Sequence, residues 1–283
     1  MSKEVGMVKK YVTVCYFWGI FLLMTGQSDV GFTAGPESIN PEVQIAWSEF
    51  NGQTYQIFFS QKLGKAWTAK KQLSTDNRIH LIPSLSSDEN GRTWVVWAAS
   101  DGLEFRLNVA RYDGRNWSEA SELPTDMTSN TAPAITVDRD GIPWVVWAGF
   151  DGQDDDIFFS RWNGAGWDTP ARVHADNAVP DILPTIGIGS NGFPWVRWSG
   201  FDSGAYHFFI TQWQGKDWGD KTEESQAVSS HSAGGESLKI SASEISEVVS
   251  EPEKASVYFP KQTVGNRSIL LRNKLHLLNS SLD

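Results

Sequence analysis

Four side chains able to hold a ligand recur along this sequence, Asn51, Asp101, Asp151 and Asp202, at intervals of 50, 50 and 51 residues. Each begins a short turn segment that contains glycine, and Asp and Asn are good turn formers for local reasons. Taken together, the same four positions offer an acidic arc for binding. The third segment, "DGQDDD" at 151–156, adds Asp154, Asp155 and Asp156 to Asp151. Carboxylates this dense suit a hard cation such as calcium, which takes about six to eight oxygens; solvated turn charge is the ordinary alternative. "DRDG" at 138–141 opens like a calcium loop, but the "IPWVVW" that follows supplies no oxygen side chain. Arg197 stands in "WVRW" where Val96 and Val146 stand in the earlier copies. A guanidinium there either rests on an aromatic face or pairs with a carboxylate, or it recognises an anionic ligand. His80 and His174 are expected in loops between repeats and His207 on a strand, as surface polar groups without metal-like or triad-like spacing.

The elements that must position these residues follow from the repeat. Trp47, Trp97, Trp147 and Trp198 form one series and Trp67, Trp117, Trp167 and Trp218 another, and the two stay 20 residues apart in all four copies. The third copy reads "APAITVD", "IPWVVWAGF", "IFFSRW" and "WDTPARVHAD", separated by "RDG", "DGQDDD" and "NGAG". Short Val-, Ile-, Phe- and Trp-rich runs cut by Asp-Gly and Asn-Gly are hairpin grammar, so each unit is a four-stranded antiparallel meander. A unit of about 50 residues with four strands reads as a propeller blade. In "WVVW" residues of both parities are large and apolar, as a sheet covered on both faces requires. The expected fold is all-β, a β-propeller with four clear blades and a degenerate fifth. In that fold Trp67, Trp117, Trp167 and Trp218 are equivalent, largely buried hairpin anchors.

The hairpin carrying the second tryptophan series has its own signature: "SQKLGKAW" at 60–67, "ARYDGRNW" at 110–117, "SRWNGAGW" at 160–167 and "TQWQGKDW" at 211–218. This Ser/Thr-x-x-x-Gly-x-x-Trp spacing resembles the Asp-box, the bacterial-neuraminidase-type repeat of sialidase-like β-propellers. The aspartate of the box is not retained, and Lys62, Tyr112, Trp162 and Trp213 stand in its place. The resemblance covers roughly residues 40–222 and implies a box that is architectural and lies away from the ligand face. Enzymes of the resembled type need an arginine triad, a Tyr/Glu pair and an acidic proton donor. The Arg-Ile-Pro motif that usually opens such domains is absent here.

Composition bounds the rest. The chain has 14 Trp and 25 Gly among 283 residues, which suits an all-β repeat protein. A net charge of −10 argues against nucleic acid as a partner, because phosphate binding needs a basic face. Residues 1–34 precede the repeats: two lysines end "MSKEVGMVKK", and 11–26 carries no charge. That pattern is a signal peptide or an N-terminal membrane anchor, and either places the repeats in a secreted, periplasmic or cell-surface location, with membrane contact only through this segment. Cys15, the one cysteine, falls inside it, so no disulfide is expected in the repeats. The repeats occupy 35–222. In the tail, 223–283, "VYFPKQTVGN" echoes "IFFSRWNGAG", which reads either as a degenerate fifth blade with a closing strand, such as "KLHLL" at 274–278, or as a disordered tail. An incomplete ring would leave edges that invite oligomerisation.

Three functions fit. The first is an extracytoplasmic, non-enzymatic binding module with a glycan or protein ligand; the second, a sialidase-like glycoside hydrolase; the third, a propeller remnant without independent function. The repetition of Asn51, Asp101, Asp151 and Asp202 favours binding, because catalysis needs unlike residues converging on one point.

Overall fold

The computed structural model describes residues 43–224, 248–249 and 256–258. Within them the chain forms four antiparallel sheets. The first holds β1 (Val43–Phe50), β2 (Tyr55–Leu63), β3 (Ala66–Trp67) and β4 (Lys71–Gln72). The second holds β5 (Ile79–Ser87), β6 (Thr93–Ser100), β7 (Phe105–Tyr112) and β8 (Ser121–Glu122); the third, β9 (Ser129–Val137), β10 (Pro143–Phe150), β11 (Asp155–Arg161) and β12 (Ala171–Arg172). The fourth holds β13 (Asp181–Ile188), β14 (Pro194–Asp202), β15 (Ala205–Gln212) and β16 (Thr222–Glu223). A last strand, β17 (Ser256–Tyr258), pairs antiparallel with β1 and takes the innermost place that β5, β9 and β13 hold in their own sheets. Residues expected to echo a third strand thus supply the first strand of the first sheet. "KLHLL" and the N-terminal apolar segment lie outside the described residues.

The sheets stack face to face like propeller blades, and alternate side chains of each middle strand go to opposite neighbours. On β6, Val95, Trp97 and Ala99 pack with Ala46, Ile57 and Phe59 of the first sheet. Trp94, Val96 and Ala98 pack with Ile135, Val145 and Trp147 of the third. Trp144, Val146 and Ala148 then meet Ile186, Val196 and Trp198 of the fourth. This two-sided burial is why strands that would alternate in a one-sided sheet are apolar throughout. The inner strands are also stitched together by polar contacts, the Ile135 and Val137 N–H groups donating to Ser84 Oγ and Ser86 Oγ at 3.2 and 3.1 Å. Among the described residues no sheet lies between the fourth and the first. The outward face of the fourth therefore leaves Phe208 39% exposed, whereas Val249 covers Val43, Ile45 and Trp47 on the corresponding face of the first.

The inner strands share a bulge. Ile82, Ala132 and Leu183, each followed by proline, have φ of 55°, 49° and 54°, and the pairing register shifts beside Ile82 and Leu183 and beside Ala132's partner strand. A positive φ on β-branched Ile82 is strained backbone, and the extra residue bends the strand.

The two tryptophan series have separated roles. Trp47, Trp97, Trp147 and Trp198 are at most 1% exposed and are the largest fully buried side chains. Trp67, Trp117, Trp167 and Trp218, expected to be largely buried, are half-buried at equivalent hairpins. There, Ser60, Ser160 and Thr211 donate their hydroxyls to the carbonyls of Thr68, Asp168 and Gly219 at 2.8, 2.6 and 2.6 Å. Gly164 turns the chain with φ of 98°. The third position of the signature packs instead of hydrogen-bonding: Tyr112, Trp162 and Trp213 lie 5.5, 5.7 and 5.4 Å from Trp117, Trp167 and Trp218. Trp162 and Trp167 also meet Trp94 of the preceding sheet at 5.4 and 5.8 Å, so an aromatic pair clasps neighbouring sheets where an aspartate would serve only its own turn.

Candidate functional site: one loop face and its acidic cluster

The hairpins between the second and third strands of each sheet share a face with the connections to the next sheet. Thr54 Oγ1 donates to Arg78 O at 2.9 Å, and Phe201 N donates to Pro180 O at 3.0 Å. At the hairpin tips Asn51, Asp101 and Asp151 use one oxygen to fold the turn. Asn51 Oδ1 accepts from the Gln53 and Thr54 N–H groups at 3.0 Å each, Asp101 Oδ1 from Leu103 N at 3.0 Å, and Asp151 Oδ1 from Gln153 N at 2.9 Å. Gly152, at φ of 112°, is the residue that lets this turn close. In the fourth copy Asp202 accepts from Ser203 Oγ at 3.1 Å. The backbone N–H groups of Leu103 and Glu104 hold the Asp101 carboxyl below its ordinary pKa. Asn51, Asp101 and Asp202 remain exposed, with polar capacity left for solvent or ligand.

Aromatic side chains pair across two of the four tips. Phe50 and Tyr55 pair across the first hairpin with ring centroids 5.5 Å apart, and Phe50 is 54% exposed. Phe201 and Tyr206 pair across the fourth at 5.2 Å, and Tyr206 is 51% exposed. The second hairpin instead raises Leu103, 92% exposed. A polar groove of about 480 Å3 opens between the first and second sheets, lined by Asp76, Arg78, His80, Asn108 and Glu119 among others. Arg78 is already engaged there by Asp76 at 2.9 Å and Asn108 at 3.1 Å.

Arg197 lies on the outward face of the fourth sheet, over the Phe208 ring at 3.9 Å and paired with Glu224. Its partners are an aromatic face and a carboxylate. His80, expected in a loop, is a buried residue of β5 that accepts the Trp97 indole N–H on Nδ1 at 2.8 Å.

The "DGQDDD" hairpin does not gather its four aspartates around one point. Arg172 from β12 takes two of them, Nη2 to Asp151 Oδ2 at 2.5 Å and Nε to Asp156 Oδ2 at 2.7 Å, and reaches Asp176 at 3.7 Å. Burial raises the Asp155 pKa, with Asp156 adding like-charge repulsion. Both oxygens of Asp154 and Oδ1 of Asp156 are buried without a hydrogen-bond partner. Burial, then repulsion from Asp156, Asp151, Asp176 and Asp181, pushes the Asp154 pKa up. Beside them stand two residues outside the hairpin, His174 and Asp181. Asp156, His174 and Asp181 each bring one ligand atom to within 4.8 Å of the others. The Asp181 carboxylate is oriented by the Trp198 indole N–H at 2.8 Å and by Asn177 Nδ2 at 2.9 Å. Repeat symmetry hid this grouping, because positions 56, 74 and 80 of the first copy's frame carry Gln, Ser and His. The departure of His174 from Ser74 and Pro124 was the available signal.

No family model matches the sequence, and no curated protein matches it. Solved structures with a related arrangement include a protein of unknown function from Dyadobacter fermentans, at 15% identity and TM-score 0.49, covering 62% of this chain and 59% of that one. A Hadza microbial sialidase matches at 15% identity and TM-score 0.41, covering 59% of this chain and 45% of the sialidase. The Aleuria aurantia lectin, solved with alpha-methyl-L-fucoside, matches at 14% identity and TM-score 0.40, covering 65% and 62%. The chain thus spans less than two thirds of each of these proteins.

Proposed function

We propose that the chain is an extracytoplasmic, non-enzymatic β-propeller binding module whose ligand is a carbohydrate, held on the loop face. The observation that carries this reading is the pairing of an exposed and a half-buried aromatic beside an amide or carboxylate tip: Phe50 with Tyr55 around Asn51, Tyr206 with Phe201 around Asp202. The C–H face of a sugar ring is apolar and stacks on an aromatic side chain, while its hydroxyls donate to nearby oxygens. Tyrosine suits this because it offers a rigid ring and a polar tip at low entropic cost. The tips are separate small contacts, so binding gains strength when one extended glycan or several branches engage more than one of them. The test is a glycan array with the full chain beside a hydrolysis assay on every glycan that binds. Binding without turnover is expected. Absence of glycan binding would favour a protein ligand through surfaces such as Leu103, and hydrolysis lost in Asp154→Asn would show an enzyme.

A further inference from the structure

We propose that Asp156, His174 and Asp181 form a binding site for a divalent transition metal of the zinc class, on the connection between the third and fourth sheets. The site stands independently of the glycan reading. Asp156 and Asp181 are each 1% exposed, and the Asp156 carboxylate has one oxygen with no partner. The His174 side chain is 7% exposed. Its Nδ1 lies 2.7 Å from the Ala175 carbonyl, to which it donates. Nε2, buried and without a hydrogen-bond partner, faces Asp181 Oδ2 at 2.9 Å. A ring N–H donated to a backbone carbonyl while the other nitrogen points at carboxylates is the arrangement of a metal-bound histidine. The bonds from Trp198 and Asn177 to Asp181, and from Arg172 to Asp156, hold the two carboxylates as outer partners hold metal ligands.

Charge makes the same demand. Asp151, Asp154, Asp156, Asp176 and Asp181 share this corner with one guanidinium, Arg172. Arg172 occupies the group formed by Asp151, Asp156 and Asp176, so a cation already serves that side. On the other side, among the described residues, His174 is the basic side chain that faces the carboxylates, at 2.9 Å from Asp181. Buried carboxylates without a compensating charge are costly, and a bound dication removes the cost. The first sheet shows what the same two positions do when no ion is involved: Gln56 and Ser74 close on each other through a 2.6 Å hydrogen bond. An imidazole nitrogen beside two carboxylates suits zinc, cobalt or nickel better than calcium, which prefers oxygen alone. Asp156 belongs both to this set and to the "DGQDDD" hairpin, on which Asp154 is likewise without a hydrogen-bond partner.

The full chain, stripped with a chelator and titrated with cobalt(II) and zinc(II), decides the matter. The expected results are stoichiometric binding, a visible cobalt spectrum with nitrogen ligation, and a rise in Tm with zinc but not with calcium. His174→Ala should weaken binding at least about tenfold and abolish the Tm rise. Asp181→Asn also disturbs the Trp198 contact, so if it fails to fold, the cobalt spectrum of the unmodified chain and the His174→Ala titration still decide. No stoichiometric binding by the unmodified chain, equal stabilisation by calcium, or full binding by His174→Ala would overturn the proposal.

Discussion

Replacing Trp147 by Phe should cost much less than replacing Trp97 by Phe, although both indoles are 0% exposed at equivalent positions of adjacent sheets. Each substitution trims a bicyclic ring to a monocyclic one and leaves a void of roughly 40 Å3, worth about 1 kcal/mol at ~24 cal/mol per Å3. The polar ends differ. Trp97 Nε1 donates to His80 Nδ1 at 2.8 Å in the buried core, so phenylalanine strands an acceptor at a further cost of about 1–3 kcal/mol. Trp147 Nε1 is buried with no partner, and removing it recovers a desolvation penalty of the same order. Trp147→Phe should therefore lie near neutral, and Trp97→Phe should lose about 2–4 kcal/mol. Urea unfolding at neutral pH measures both, with equal m-values confirming that the midpoint shift reports stability. Equal losses in the two variants would refute the assignment of polar partners inside the stacked sheets.

Ser160→Ala should lose about 1 kcal/mol through its bond to the Asp168 carbonyl, and Ala110→Ser, in the copy lacking the hydroxyl, should recover a similar amount; thermal melts of the two variants check this. Ile82→Gly should stabilise by about 1 kcal/mol, because the side chain is 53% exposed and relief of its φ of 55° outweighs the added chain entropy; unchanged or lower stability in urea would count against strain at the bulge. Burial lowers the His80 pKa, so protonation favours the unfolded chain. Stability is full above the unfolded value of about 6.5 and falls as pH drops from there toward the lowered folded value. His80→Gln should flatten that part of the stability–pH curve.

The repeat was legible because both tryptophan series keep one period, and two-sided burial writes itself into "WVVW" as apolar residues of both parities. The turn role of Asn51, Asp101 and Asp151 was legible for the same reason, since an Asx turn is a local event. The burial of Trp67, Trp117, Trp167 and Trp218 was overestimated, because spacing shows that a hairpin anchor recurs but not how much of it a neighbouring sheet covers. The partner of Asp151 and Asp156 was not legible from the run "DGQDDD": Arg172, 16 residues beyond Asp156, enters the hairpin and bonds to both. His174 and Asp181 lay outside any local pattern, since their meeting with Asp156 depends on the path of the connection between two sheets. A strand from the C-terminal tail was expected, but that Ser256–Tyr258 would pair with the first sheet was hidden for the same reason.

Recognition by exposed aromatics at the hairpin tips is measurable as a binding isotherm of a glycan selected on the array. Measured with the unmodified chain, Phe50→Ala, Tyr206→Ala and the double variant, affinity should fall modestly in each single variant and further in the double, with thermal stability unchanged because both side chains are more than half exposed. Undiminished affinity in the double variant would place the ligand site off these tips.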